Sequence, residues 1–332
     1  MNEREIYLKI ENWLSKNYQI AIANVIETWG SSPRPVGSIM AINNKNQVIG
    51  SVSGGCIESF VFGKALEVIN NGKVQTLDFG VTNSQAWEVG LTCGGKIKVF
   101  IEKLSKDNID LIKKINENYK TRKNLVVATR LKDGKKEYYE KRYEKPTILK
   151  SNFFIKNKTN KSYIESIQGD LWFFKIFKNN IRVIIIGAVH IADPLIKFAN
   201  NLGYEIFLVD PRSNYNESTY KNIKIYNEWP DEALKKIKID ENTAIVTLTH
   251  DPKLDDPALI YSLKSKAFFI GSLGSVKTHA SRVKRLTKKG FSLDTIEKIH
   301  GPIGIDIGAK TPPEIALSII SQIVLRKSEL NV

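Results

Sequence analysis

The chain has 332 residues, 42% of them hydrophobic and 26% charged, which is ordinary for a soluble protein and enough for two domains that each bury a core. Its formal charge of +15 comes mostly from lysines scattered among many Asn and Ile, with no zinc finger, basic heptad or basic–aromatic RNA motif, so an anionic ligand or acidic protein is expected and nucleic acid is not. Two cysteines exclude a disulfide framework and a four-cysteine zinc site, while the absence of a signal-peptide pattern or a membrane-length apolar run predicts a cytoplasmic protein without a membrane span.

Residues 1–16 carry Ile6, Leu8, Ile10 and Leu14 between charges and predict an amphipathic helix. Ile20 to Thr28 reads as a buried strand, running into the turn-rich stretch from Trp29 to Ser38. There Arg34 stands between Pro33 and Pro35, where a guanidinium has little entropy to lose on meeting a phosphate or carboxylate. A strand pair follows (Ser38 to Ile42, Val48 to Val52). It ends in Ser53-Gly54-Gly55-Cys56-Ile57-Glu58, after which apolar residues recur at helical spacing to Asn71 and stop at Gly72.

A strand, a glycine turn and a helix are thus expected, with Cys56 at the helix start. Free backbone N–H groups at such a start attract anions, and the helix dipole favours a thiolate. Two glycines also let a ligand approach the backbone closely. The other cysteine lies in Thr92-Cys93-Gly94-Gly95, again beside two glycines, and that turn feeds the strand Lys96 to Ile101. Beyond a helix at 107–119, Asp133-Gly134 marks a hairpin between Leu125–Thr129 and Lys135–Tyr143. Residues 141–178 have weak periodicity and read as late strands of the first domain and a linker.

At Ile181 the pattern changes. Ile181 to Ile186 is a continuous apolar strand of the kind buried on both faces of a parallel sheet, and Gly187-Ala188-Val189-His190 opens a helix reaching Asn201. The next strand ends at Asp210, 23 residues beyond Gly187 and close to the ~20 expected of a ribose-binding acid. Val189 and Ala192 stand where a dinucleotide turn carries its second and third glycines, so a Rossmann-like fold is predicted with at most weak NAD(P) binding. Further alternation (strands 244–248 and 267–270, helices 257–263 and 275–288) completes a doubly wound sheet.

Ligands in such sheets sit beyond the carboxyl ends of the strands, which places Gly187, His190, Asp210, Thr249-His250-Asp251 and Gly271-Ser272-Leu273-Gly274-Ser275 on one crevice. The four histidines have no metal-ligand spacing. Thr311 and Pro312 start a last helix from Glu314 to Leu325, apolar on most faces and expected to be buried, with a homodimer contact as one way to cover it. The predicted fold class is α/β: an N-terminal α+β domain over 1–178, then a Rossmann-like doubly wound parallel-sheet domain over 179–332.

Taken together, Ser53-Gly54-Gly55-Cys56-Ile57-Glu58, Thr92-Cys93-Gly94-Gly95, Gly271-Ser272-Leu273-Gly274-Ser275 and His300-Gly301-Pro302-Ile303-Gly304 through Pro312 resemble the XdhC/CoxI family, the accessory factors of molybdenum hydroxylases. The resemblance spans about Ile20 to Leu325. It implies a chaperone that binds the molybdenum cofactor (molybdopterin) while a cysteine desulfurase supplies its sulfido ligand, and then delivers it to an apo molybdenum hydroxylase of the xanthine or CO dehydrogenase type.

On that reading the cofactor-binding residues are Arg34, Ser53, Gly54, Gly55, Cys56, Glu58, Cys93, Gly94, Gly95, Gly187, His190, Asp210, Gly271, Ser272, Gly274 and Ser275. Cys56 or Cys93 is the candidate molybdenum ligand or sulfur relay. Two rivals remain. An NAD(P)-dependent oxidoreductase would lose nicotinamide binding on Asp210→Ala, and a pure escort of the apo-hydroxylase would tolerate Cys56→Ser and Cys93→Ser.

Overall fold

The computed structural model describes residues 3–30, 34–80, 95–123, 125–139, 161–212 and 223–330. They form two compact units, Met1–Asn179 and Asn180–Val332.

The first unit begins with helix α1 (Glu3–Ser15), then β1 (Ile20–Trp29), β2 (Ile39–Asn43), β3 (Val48–Gly50), α2 (Glu58–Asn71), β4 (Gln75–Phe79) and β5 (Lys96–Leu104). These five strands make one antiparallel sheet in the order β3-β2-β1-β5-β4. Residues along β1 alternate in what they meet, as a strand's period of two requires. Ile20 and Ile22 face α1 and the following helix α3 (Ile109–Thr121), while Ala21, Ala23 and Val25 face Val61, Ala65 and Val68 of α2. Both faces are therefore covered, and each Val or Ile buried there stabilises the unit by roughly 1.5–3 kcal/mol.

The hairpin at Asp133-Gly134 joins β6 (Leu125–Arg130) to β7 (Lys136–Tyr139). The weakly patterned stretch contributes β8 (Tyr163–Ile167) and β9 (Asp170–Phe177), closing a four-stranded antiparallel sheet β7-β6-β9-β8. A buried polar seam runs through this unit, in which Glu102 of β5 pairs with Lys136 of β7. Burial pulls the Glu102 carboxyl up, against the pull of Lys136 and Lys175.

The second unit is a six-stranded parallel sheet ordered β12-β11-β10-β13-β14-β15. Its elements in chain order are β10 (Arg182–Ile186), α4 (Ala192–Asn201), β11 (Glu205–Val209), β12 (Ile223–Tyr226), α5 (Pro230–Lys236), β13 (Thr243–Thr247), α6 (Pro252–Leu263), β14 (Phe269–Ser272), α7 (Val276–Lys288), α8 (Leu293–Ile296), β15 (Ile299–His300) and α9 (Pro312–Glu329). Val183 and Ile185 pack under α4 and α9, and Ile184 and Ile186 pack under α5 and α6, so β10 is apolar on both faces. The strand order reverses between β10 and β13, which opens the crevice at their carboxyl ends.

Several boundaries differ from the sequence reading. Helix α4 starts at Ala192, because Gly187–Ile191 forms a turn with the Ala192 N–H donating to the Val189 carbonyl. Helix α6 starts at Pro252, five residues earlier than expected, because the Asp251 carboxylate accepts from the Lys253 N–H and caps it. Helix α9 is not buried on most faces: Ala316, Ile319, Ile320 and Ile323 are in the core, whereas Leu317, Val324 and Leu325 are exposed. Its start follows expectation, with a Thr311–Glu314 capping box and Pro312 in the first turn. No helix among the described residues is long and apolar enough to cross a membrane.

Candidate functional site

The Gly-Gly-Cys segment is a loop between β3 and α2, and its geometry is set by Glu58. Helix α2 begins at that residue, so Cys56 and Ile57 precede the helix, and Cys56 does not occupy its first turn. The Glu58 carboxylate reaches back over the loop and accepts five hydrogen bonds: from Ser51 Oγ (2.5 Å), Ser53 N (2.9 Å), Ser53 Oγ (2.6 Å), Gly54 N (2.9 Å) and Gly55 N (2.8 Å).

The loop N–H groups expected to attract a foreign anion are thus engaged by the chain's own acid. Burial pulls the Glu58 carboxyl up, but the bonds from Ser51, Ser53 and Gly55 outweigh it and hold its pKa at about 2. It is ionised throughout the physiological range.

The loop is therefore rigid but not closed. Gly54 and Gly55 are exposed, and no described atom lies within 4 Å of where a Gly55 Cβ would stand. Cys56 is half-buried, packed on one side against the core under α2. Ser51 borders a surface cleft that also touches Arg34, which is exposed. Cys93 and Gly94 lie outside the described residues, as do residues 31–33; Gly95 is buried just ahead of β5. Among the described residues no three His, Cys, Asp or Glu side chains gather closely enough to hold a metal ion.

In the second unit the crevice residues serve mainly the fold. Gly187 is buried with φ +108°, and a Cβ there would stand 2.4 Å from Thr249 Cγ2. Asp210 is 3% exposed, and its carboxylate accepts from the Ala188 N–H (2.8 Å) and from the Arg212 backbone and guanidinium (2.8–3.1 Å). Burial raises its pKa, but these bonds prevail and hold it below the ordinary value. The acid placed for a ribose thus seals its own turn.

Gly271 and Ser272 are the buried last two residues of β14, with the Ser272 hydroxyl 2.5 Å from Thr247 Oγ1. Ser275 caps α7 by accepting from the Thr278 N–H at 3.1 Å. Gly274 turns the chain into that helix, and Ser275 and His190 are both exposed. The His300–Gly308 loop is a wall of the fold: Gln322 accepts from the Gly304 N–H and Ser318 donates to the Ile305 carbonyl.

Sequence reasoning missed Ser51, which joins the loop to the cleft, and the lysines of residues 161–178. A signal existed in Trp172-Phe173-Phe174-Lys175-Ile176-Phe177, where a lysine interrupts an apolar strand. A buried cation of that kind requires a partner, and Lys175 finds it in Glu3 of α1 at 2.6 Å.

Both units have known relatives. Residues 183–323 match the model of the XdhC Rossmann domain, and residues 13–80 match that of the XdhC and CoxI family. The chain belongs to the XdhC/CoxI family. It is 25% identical over 303 residues to the molybdenum cofactor insertion chaperone PaoD of Escherichia coli (strain K12), covering 91% of this chain and 81% of PaoD. It is 23% identical to a probable xanthine dehydrogenase subunit of Bacillus subtilis (strain 168), over 96% of each chain. A crystal structure of a Bacillus halodurans protein described as a xanthine dehydrogenase superposes with a TM-score of 0.78 at 23% identity, covering 99% of this chain and 96% of that one. That likeness establishes the two-unit XdhC fold.

Proposed function

We propose that this protein is a maturation factor that holds the molybdenum cofactor while a cysteine desulfurase partner renews its sulfido ligand, and then passes it to an apo molybdenum hydroxylase. The relative named as a molybdenum cofactor insertion chaperone supports the class of function. The observation that carries the reading is the Gly54-Gly55-Cys56 loop: two exposed glycines and a half-buried thiol, fixed by five bonds to one ionised carboxylate. Such a loop fits the cargo, because the glycines admit a bulky ligand to the backbone and the sulfur is a soft donor.

As cargo, the cofactor brings an anionic, dithiolene-bound molybdenum and a phosphate. Toward it Cys56 supplies the thiol, Gly54 and Gly55 leave room, Arg34 supplies positive charge, and Glu58 keeps the loop in one shape. Glu58 is a positioning residue, since its oxygens are spent on the loop. In the second unit His190 and Ser275 are the exposed candidates, whereas Asp210 and Ser272 are buried and use their polar groups within the fold, and the Ser275 hydroxyl caps α7. The oxidoreductase reading is weakened for the same reason, since the acid it needs for a ribose is bound to Ala188 and Arg212.

The test is to co-express the protein with molybdenum cofactor synthesis and read molybdenum by mass spectrometry and oxidised pterin by fluorescence. Wild type should carry both in near-equal amounts, and Cys56→Ala should lose both while keeping its thermal midpoint. Equal loading of the variant, or no pterin on wild type under any condition, overturns the proposal.

A further inference from the structure

Helix α7 of the second unit differs in charge from the other described helices. Each of the others contains at least one Asp or Glu, and α7 contains none. Elsewhere surface cations take an acid of their own helix three or four residues away, as in Lys64–Glu67, Lys114–Glu117, Lys197–Asp193, Lys235–Asp231 and Arg326–Glu329. Two of the five Lys and Arg side chains of α7 are engaged within the fold. Arg282 is buried and donates to the Leu273 carbonyl at 2.8 Å, and Arg285 pairs with Asp256 of α6 at 2.6 Å.

The other three, Lys277, Lys284 and Lys288, are exposed, and among the described residues none has a carboxylate within ion-pair distance. Positions seven and eleven residues apart return to nearly the same side of an α-helix, so the three lysines form one stripe about 16 Å long. Ala280 and Ser281 stand between the first two, small and exposed, and leave the helix open to close approach. Lys284 and Lys288 are like charges four residues apart, an arrangement that weakens a helix on its own. Stability of the fold does not account for such a stripe.

We infer that this face of α7 is a docking surface for an acidic protein, whose carboxylates lie along Lys277, Lys284 and Lys288. A row of one charge complements a row of the other, speeds the encounter and fixes its register. Val276, 75% exposed at the start of the helix, adds an apolar contact that a protein partner can use. Nucleic acid is held by longer runs of cations or by aromatic rings that stack its bases, and this face has three lysines and no ring. A membrane surface calls for large apolar side chains beside the cations, where Ala280 and Ser281 stand instead. The docking face is a property of the second unit by itself. Only the identification of the acidic protein with the apo-hydroxylase that receives the cofactor rests on the function proposed above.

The experiment follows binding of a fluorescent oligoglutamate peptide to the purified protein by anisotropy, in low and in high salt. Oligodeoxythymidylate and phosphatidylserine vesicles serve as the alternative probes. Lys277→Gln/Lys284→Gln/Lys288→Gln is compared with wild type and with Lys106→Gln/Lys113→Gln/Lys120→Gln, which removes the same charge from exposed lysines that stand near Asp107, Asp110 and Glu117. Saturable peptide binding is expected, weakened about tenfold in the α7 variant and by salt, and little changed in the control. The α7 variant should keep or slightly raise its thermal midpoint, because the repulsion between Lys284 and Lys288 is gone. No saturable binding by wild type, equal weakening in the two variants, a lowered midpoint, or tighter binding of DNA or vesicles than of peptide overturns the inference. Cofactor loading separates it from the carrier reading. Loading should be retained in the α7 variant, and its loss there would make α7 part of the cargo site and remove the docking face. Peptide bound by a wild-type protein that never carries pterin keeps the docking face and removes the carrier.

Discussion

Each unit places a glycine turn after a strand and closes it with a carboxylate of its own, but the two closures differ in what they leave open. In the first unit the acid is local: Glu58 follows Gly55 by three residues and gathers the N–H groups of Ser53, Gly54 and Gly55, leaving both glycines exposed. In the second the acid comes from the next strand, and Asp210 draws Ala188 and Arg212 together over a buried Gly187. A glycine followed by an acid is therefore not one signal. What stands behind the glycine decides its role: open space behind Gly55, and the Thr249 methyl behind Gly187.

The sharpest way to break this contrast is Gly187→Ala. The new Cβ meets Thr249 Cγ2 at 2.4 Å on a backbone held at φ +108°, and overpacking together with strain should cost about 3 kcal/mol or more. Urea unfolding followed on a probe in the second unit would show it, and an unchanged midpoint would mean that the turn is not sealed. Glu58→Ala comes next, leaving the Ser53 and Gly55 N–H groups without the carboxylate they donate to and Gly54 with Ser51 Oγ alone, at a cost of about 2 kcal/mol, with Glu58→Gln falling between it and wild type.

The same residue predicts a pH dependence. Its folded pKa of about 2 lies below the ordinary 4.5, so its contribution is present above the ordinary value and is lost as pH falls toward 2. After allowing for solvent screening of a half-exposed group, about 1–2 kcal/mol should disappear across that window in wild type and not in Glu58→Gln. Identical acid profiles would remove Glu58 from the role given to it.

Asp210→Asn should cost about 1–2 kcal/mol, because the amide oxygen still accepts from Ala188, whereas the amide nitrogen leaves the Arg212 backbone N–H and Nε–H without their acceptor. A fluorescence titration with NADPH should show no saturation for either wild type or this variant. Saturation of wild type, abolished by Asp210→Asn, would return the second crevice to nucleotide binding.

The second unit was legible as a fold from its apolar strands, because Val183 to Ile186 is buried on both faces and such runs leave few alternatives. Its crevice was less so, since the hydrogen bonds that commit Asp210 and Ser272 to the fold depend on neighbours 22 and 25 residues away in sequence. In the first unit the loop was legible from Gly54-Gly55-Cys56, whereas the cleft was not. Its walls come from stretches more than a hundred residues apart, and Lys161 and Lys178 sit in text with no period to announce a strand. Glu58 fell between these cases. It was named with the motif as a binding residue, yet an acid at a helix start can also turn back onto the loop before it, as Glu58 does toward Ser53, Gly54 and Gly55.

The smallest stability effect carries the most functional information. Gly55→Ala places a methyl group where no described atom lies within 4 Å, so the only folding cost is the φ of +133°, about 1 kcal/mol. The loop should keep its bonds to Glu58, because a methyl on Cα leaves the N–H groups in place. If the space beyond Gly55 is where the cargo meets the backbone, that methyl stands in its way, and molybdenum and pterin loading should fall far more than stability does. Gly187→Ala should show the reverse, a large loss of stability with loading of the surviving folded fraction retained. Loading that follows stability in both variants would mean that neither glycine touches cargo, and the two turns would then differ only in packing.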